Sequence, residues 1–389
     1  MKKMNINQVD ASTKPKGLEN IGATCYMNAV LQCFYHVKVL TNELLKYPTT
    51  MPMTLAYQDV IKQLSVNSPY PGRPFAFKNV ISGNPLFRGI QANDSKDLIL
   101  YFLETIENEL SFQNFICQNQ KYFNRIKFLK NNQDIYQDSD LMNIIKLFEN
   151  NHKSIISDLF YGFRSQLLIC EKCKKPTTNY QIFNLFIFPI EVVYNNKMKN
   201  NRGKTQEKKN ITFQTSAQEI GRFYYEKNEN RYFHNEINIR GGSKKVTLED
   251  CFENEIGSMD FNGDNQIYCN NCSKSTDAKG INKIYCTPYI LILVLNRGKG
   301  NEFDCEVDFK EDLNIKKYVQ RNDCPLEYNL IGVISHLGES SMNGHFIADC
   351  KHFDGGWYSF SDSSVSGPYN KYNKKGTPYI LFYQFKGLN

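Results

Sequence analysis

A chain of 389 residues with 41% hydrophobic and 13% aromatic residues has ample material for a buried core, which excludes an intrinsically disordered protein. The formal net charge of +7 comes from dispersed lysines and not from a dense basic block, so nucleic acid is not an expected partner. The longest apolar run, Ile290 to Leu295, is far too short to span a bilayer, and no apolar segment follows the charged N-terminus, so neither a membrane partner nor a secretion signal is expected. The expectation is a soluble intracellular protein, cytoplasmic or nuclear, whose twelve cysteines serve metal binding or catalysis and not disulfides.

The first element lies in NIGATCYMNAVLQCF, where Met27, Val30, Leu31 and Phe34 recur at i, i+3, i+4 and i+7, one face of an amphipathic helix. Thr24 stands where an N-cap belongs, and Cys25 falls in the first turn. There the helix dipole and free N–H groups favour an anion, so Cys25 reads either as a nucleophile with a lowered pKa or as a small buried residue. A later helix carries Ile99, Phe102, Leu103, Ile106 and Leu110 behind NDSKD, which supplies capping chemistry. From about Phe163 the texture changes to short β-rich runs, FRSQLLIC and FNLFIFPI. The polar, lysine-rich YNNKMKNNRGKTQEKKN that follows is expected to be a flexible insertion. Strand-like runs resume with YILILVL, YNLIGVISH, GHFIADCKHF and PYILFYQF. The class is α+β: a helical part, then an antiparallel β part with an excursion.

Two C-x-x-C pairs interrupt the β part, Cys170 with Cys173 and Cys269 with Cys272. Each turn aims two thiolates at one point, and two such knuckles complete a closed tetrahedral zinc site with no open coordination position. One structural zinc ion is therefore expected, and no catalytic cofactor. Separate buried thiols are the competing reading, whereas a redox pair would need a βαβ context that is missing here.

A nucleophilic thiol needs a base beside it and a third group to hold the imidazole. Of six histidines, His36 and His234 read as packing residues and His152 and His352 as surface residues. His345 opens GHFIADCKHFDGGWYSFSDSSV, a strand, a D-G-G hairpin turn and a returning strand that ends at Ser361 and Asp362. The hairpin brings the chain back beside its start, so Ser361 or Asp362 is within reach of His345.

Together these segments resemble the ubiquitin-specific proteases. GLENIGATCYMNAVLQCF is similar to their cysteine box and GHFIADCKHFDGGWYSFSDSSV to their histidine box. QANDSKDLI resembles their acidic motif, with Asp94 and Asp97 at its acidic positions. The two C-x-x-C pairs match the family's zinc-bearing fingers, TPYILILVLNRG its central strand motif and PYILFYQF its closing strand. The resemblance implies a papain-like fold with thumb, fingers and palm around ubiquitin. It divides the chain into a disordered tail at 1–15 and a catalytic domain at 16–387. Within that domain the thumb covers about 16–162, the fingers about 163–285 with the polar insertion near 195–240, and the palm about 286–387.

Carried over residue by residue, the resemblance makes Cys25 the nucleophile, His345 the general base, and Asn20 the oxyanion donor beside the Cys25 backbone N–H. Asp94 and Asp97 would meet the arginines of the ubiquitin tail, and His336, in a loop near the histidine box, would lie over that tail. The competing readings are a helix cap with first-turn charge for the aspartates and a solvated loop residue for His336. Three positions depart from the family. Ser361 stands where Asp or Asn usually completes the triad, Phe346 replaces the usual tyrosine after the histidine, and Gly298 replaces an aromatic residue. A hydroxyl can accept the imidazole N–H but brings no charge. Asp362 is adjacent, and strand neighbours face opposite ways unless the strand bulges. The expected function is a deubiquitinating thiol hydrolase acting on ubiquitin and ubiquitinated proteins. The alternative is a catalytically weak or inactive ubiquitin-binding module; a zinc-dependent nucleic-acid binder leaves most of the motifs unexplained.

Overall fold

Residues 9–112, 148, 154–202, 244–298, 303–338 and 344–388 are described by the structure, a computed structural model. The N-terminal part is helical: α1 (Cys25–Tyr35), α2 (Lys38–Lys46), α3 (Pro52–Ser65), α4 (Phe75–Ile81), α5 (Ser95–Phe112) and α6 (Ile155–Phe160). All eleven residues of α1 are buried, the polar Asn28 and Gln32 included. These two are tolerated because their amides donate to main-chain oxygens of the segment before the helix, Asn28 to Leu18 and Glu19 and Gln32 to Lys16. The apolar face anticipated for this helix is thus only part of its contact surface. On α5, Ile99, Phe102, Leu103, Ile106 and Leu110 are all at most 1% exposed and pack in one core with α1.

The β part opens with β1 (Gly162–Cys170), β2 (Pro176–Phe183) and β3 (Phe186–Pro189), followed by α7 (Ile190–Arg202), β4 (Lys245–Thr247) and α8 (Leu248–Glu255). Next come β5 (Ser258–Phe261), β6 (Ile267–Cys269), β7 (Lys274–Thr276), β8 (Ala278–Cys286), β9 (Ile290–Asn296), β10 (Glu306–Asp308) and β11 (Asp312–Asn314). The chain closes with β12 (Glu327–Leu337), β13 (His345–Lys351), β14 (Trp357–Ser361), β15 (Ser364–Tyr369) and β16 (Thr377–Phe385). One sheet runs β2-β1-β8-β5 and projects the cysteine pairs. The larger sheet has eight strands: β15-β14-β13-β12-β16-β9-β3, with β11 beside β12.

Strand β9 explains why the larger sheet is apolar on both faces. Ile290, Ile292 and Val294 join the core shared with the helices, while Leu291, Leu293 and Leu295 join a second core on the opposite face. With a side-chain period of two, a strand covered on both faces must be apolar at every position, as ILILVL is.

Two boundaries differ from the sequence reading. Within residues 9–15, Val9 and Thr13 are buried while Asp10, Ala11, Ser12 and Lys14 are exposed, and the Val9 N–H donates to Asn42 Oδ1 at 2.8 Å. The start of the polar insertion, through Arg202, belongs to α7, whose apolar Ile190 and Val193 dock on the second core. The remainder of that insertion lies outside the described residues.

Candidate active site and cysteine cluster

Main-chain turns set the position of Cys25. Gly22 and Ala23 both have positive φ, +117° and +47°, and turn the chain into α1. Asn20 Oδ1 anchors this turn by accepting from the N–H of Gly22 at 3.2 Å and of Thr24 at 3.1 Å. Thr24 is the N-cap residue by position, but its hydroxyl accepts from the Ile21 N–H and does not cap the helix. The first-turn N–H groups consequently stay near Cys25. Helix α1 lies across β13, and Cys25, 6% exposed, lies against the backbone N–H of Phe346, the neighbour of His345, which favours its anion.

The lowered thiol pKa anticipated for the first turn is not what results. Burial pushes the Cys25 thiol above its ordinary value and the Asp362 charge adds to the rise, while the N–H groups of Phe346, Tyr26 and Cys25 itself pull the other way. The balance of these effects favours the neutral thiol over the thiolate.

At His345 the hairpin decides between the two neighbours left open by the sequence. Ser361 Oγ lies 2.9 Å from His345 Nε2, which leaves Nδ1 as the ring's other nitrogen. Ser361 and Ser364 pair across a two-residue turn, and Asp362, the first residue of that turn, has φ +50°. The turn, not a bulge, sends the Asp362 carboxylate away from the imidazole. Its oxygens accept instead from Asn20 Nδ2 at 2.9 Å and Asn28 Nδ2 at 2.7 Å. The main chain locks the same geometry: Leu18 N–H donates to Asp362 O at 2.9 Å, and a Cβ on Gly17 would come within 2.4 Å of that oxygen. Only glycine permits this approach.

Around the start of α5, Asp94 Oδ1 accepts from the Lys96 N–H at 2.8 Å, a helix-capping contact. The hydroxyl of Tyr379 donates to both Asp94 oxygens, at 2.8 Å each. Asp97 lies one turn on, paired with Lys96 at 3.4 Å; burial raises its pKa and Asp94 adds to that, against Lys96. His336 is not a loop residue. It sits on β12, 3% exposed, with its ring 5.0 Å from that of Phe346. Gly344 lies directly against it, since a Cβ there would fall 1.7 Å from His336 Nε2.

The four cysteines of the two pairs converge at the end of the β2-β1-β8-β5 sheet, their sulfurs all within 4.8 Å of one another. Cys173 and Cys269 are 3.7 Å apart and Cys170 and Cys272 4.0 Å apart. A tetrahedral ion with Zn–S of about 2.3 Å requires S···S near ~3.8 Å, so the donor set and its spacing fit zinc. The Thr276 hydroxyl, 3.2 Å from Cys170 Sγ, together with nearby backbone N–H groups holds that thiol down at about 6, which favours the thiolate.

The family model described as ubiquitin carboxyl-terminal hydrolase matches residues 16–383 of this chain. The chain belongs to that family. Among similar proteins, a probable ubiquitin carboxyl-terminal hydrolase 16 of Schizosaccharomyces pombe is 23% identical over 392 residues, covering 96% of this chain and 67% of the relative. Ubiquitin carboxyl-terminal hydrolase 10 of Saccharomyces cerevisiae is 22% identical over 376 residues, 91% of this chain and 45% of the relative. Ubiquitin carboxyl-terminal hydrolase 2 of Bos taurus is 23% identical over 388 residues, 95% of this chain and 54% of the relative. The chain thus spans about half to two thirds of the length of these relatives. The mixed helical and antiparallel architecture agrees with the papain-like, α+β design anticipated for the ubiquitin-specific protease branch of this family.

Three features of the site escaped the sequence reading. Asn28 holds Asp362 although it lies inside the helix, and no local pattern marks it. Tyr379 reaches Asp94 from a position 285 residues away. His352, whose polar sequence neighbours point to a surface position, is 3% exposed: its Nδ1 is 3.0 Å from His36 Nε2, and its Nε2 is 2.6 Å from Thr13 O. Its polar sequence neighbours Lys351 and Asp354 belong to the hairpin, whereas its ring turns inward among His36, Phe353 and Tyr358. His234 and His152 lie outside the described residues. No helix among the described residues is long and apolar enough to cross a membrane.

Proposed function

We propose that this chain is a deubiquitinating thiol hydrolase that cleaves the peptide or isopeptide bond after the C-terminal glycine of ubiquitin. The observation that carries the reading is the hold on His345 at the thumb–palm junction: Ser361 Oγ lies 2.9 Å from its Nε2, while Cys25 at the start of α1 lies against the N–H of the adjacent Phe346. His345 Nδ1 is then the nitrogen that takes the Cys25 proton as the sulfur attacks the substrate carbonyl, which suits a thiol that rests neutral. One Asn20 amide hydrogen donates to Asp362; the other, with the Cys25 N–H, stabilises the oxyanion. His345 returns its proton to the departing lysine amine, and water, deprotonated by the same ring, hydrolyses the thioester. Asp94 and Asp97 form the surface for the ubiquitin tail, the acidic pair opposite its arginines, with the buried His336 supporting the tail channel from below. Fingers, thumb and palm follow the boundaries read from the sequence, except that the ordered body begins by Val9. Cys170, Cys173, Cys269 and Cys272 hold a zinc ion that organises the fingertip and takes no part in the chemistry.

The decisive experiment is cleavage of a ubiquitin C-terminal fluorogenic amide by the wild type and Cys25→Ala. Turnover by the wild type, none by the variant, and retained ubiquitin binding by both are expected; a wild type that binds ubiquitin without turnover would make the chain a ubiquitin reader. Asp94→Lys is expected to weaken ubiquitin binding by at least about ten-fold, as one charge-assisted contact is replaced by a like-charge clash. Unchanged affinity would reduce Asp94 to a helix cap.

A further inference from the structure

Tyr379 stands at the third position of β16 in the palm, yet its hydroxyl ends on a thumb residue, Asp94, immediately before α5. The contact is specific on both sides. Asp94 Oδ1 accepts from both the Tyr379 hydroxyl and the Lys96 N–H, each at 2.8 Å, so its lone pairs are used. Oδ2 accepts from Tyr379 at 2.8 Å and keeps its second lone pair. On the palm side the ring is 6% exposed and packs against Phe346, while the preceding carbonyl, Pro378 O, accepts from the buried Arg297 guanidinium at 2.5 Å. Without the hydroxyl, Asp94 would be tethered only by the Lys96 N–H and free to rotate about its Cβ–Cγ bond.

We propose that Tyr379 is the positioning residue that presents Asp94 Oδ2 to a cationic side chain of the substrate tail. This rests on the reading of Asp94 as part of the tail-binding surface. Burial, reinforced by the Asp94 charge, pushes the Tyr379 phenol far up, so it remains a donor at every working pH. Because the donor belongs to the palm and the acceptor to the thumb, the acidic subsite exists in its binding geometry only when the two are packed together. The effect belongs to substrate binding and not to the chemical step, since the Tyr379 hydroxyl is engaged with Asp94 and, among the described residues, no hydrogen bond joins it to Cys25 or His345.

The test is steady-state cleavage of the ubiquitin fluorogenic amide by wild type, Tyr379→Phe, Asp94→Asn and the double variant. The same four proteins are assayed on an amide whose ubiquitin tail arginines are changed to alanine. Tyr379→Phe keeps the ring in the core, and a thermal melt verifies its fold. The expected result is a KM raised about ten-fold with kcat within two-fold, the size of one hydrogen bond to a charged acceptor. That penalty should vanish in the Asp94→Asn background and on the alanine-tail substrate. A Tyr379→Phe enzyme with unchanged KM while Asp94→Asn raises it would overturn the positioning role, as would a penalty of equal size on both substrates or one confined to kcat. An Asp94→Asn enzyme with wild-type KM would instead remove the tail-binding reading itself.

Discussion

Under the proposed mechanism, replacing Asp362 is expected to cost turnover more than replacing Ser361, which contacts His345. Asp362→Ala removes the acceptor of two charge-assisted hydrogen bonds, 2.9 Å from Asn20 and 2.7 Å from Asn28. Asn28 keeps the Leu18 and Glu19 carbonyls at 3.4 and 3.2 Å, so the helix stays anchored. Asn20 keeps only the contacts of its Oδ1, and its amide hydrogens lose their fixed direction. Deleting an oxyanion donor outright costs about 10²–10³ in kcat, so misplacing one should cost between about ten-fold and that limit. Ser361→Ala removes one neutral hydrogen bond, worth roughly 0.5–1.5 kcal/mol, or about 2- to 12-fold in rate. Steady-state cleavage of the ubiquitin amide ranks the two, and Asp362→Ala should add little to an Asn20→Ala background because both act on one donor. A loss beyond about 100-fold in Ser361→Ala, with Asp362→Ala within about three-fold of wild type, would refute the reasoning and make orientation of His345 the dominant requirement.

Because burial raises the Cys25 pKa, inactivation of the substrate-free protein by iodoacetamide is expected to accelerate with pH above about 8.5; an inflection below neutrality would show a resting thiolate. Fresh protein should carry one zinc per chain, lost in Cys173→Ser together with a lower melting temperature; metal analysis finding no zinc in the wild type would dismiss the cluster as a metal site. Asp349 is 1% exposed, accepts from Ser359 through one oxygen, and has its other oxygen buried without a hydrogen bond; burial lifts its pKa from 3.8 to about 6, against Ser359 and Lys375. The folded state binds this proton more tightly than the unfolded chain, so stability is full below pH 4 and falls by up to about 3 kcal/mol as pH rises through 6. Asp349→Asn should thus melt higher than wild type at pH 7.5 with the gap closing at pH 5, and equal gaps at both values would contradict the assignment.

Local sequence already determined much of this protein. The helix that begins at Cys25, the helix behind Asp94, the hairpin after His345 and the two C-x-x-C knuckles all declare themselves through periodicity and turn residues, which need only neighbours along the chain. The motifs also kept the order that places the chain in its family. What pattern could not decide is which side chains meet. Ser361 and Asp362 are adjacent, and only the two-residue turn with its left-handed Asp362 assigns one to His345 and the other to Asn20. The burial of His352 beside His36, and of Asn28 and Gln32 inside α1, is equally invisible, because their partners are main-chain oxygens and a ring supplied by distant segments. The Cys25 thiol makes the same point: its place in a first turn is a local property and favours the anion, but its pKa follows the desolvation imposed by the packed sheet, and that is decided only when thumb and palm come together.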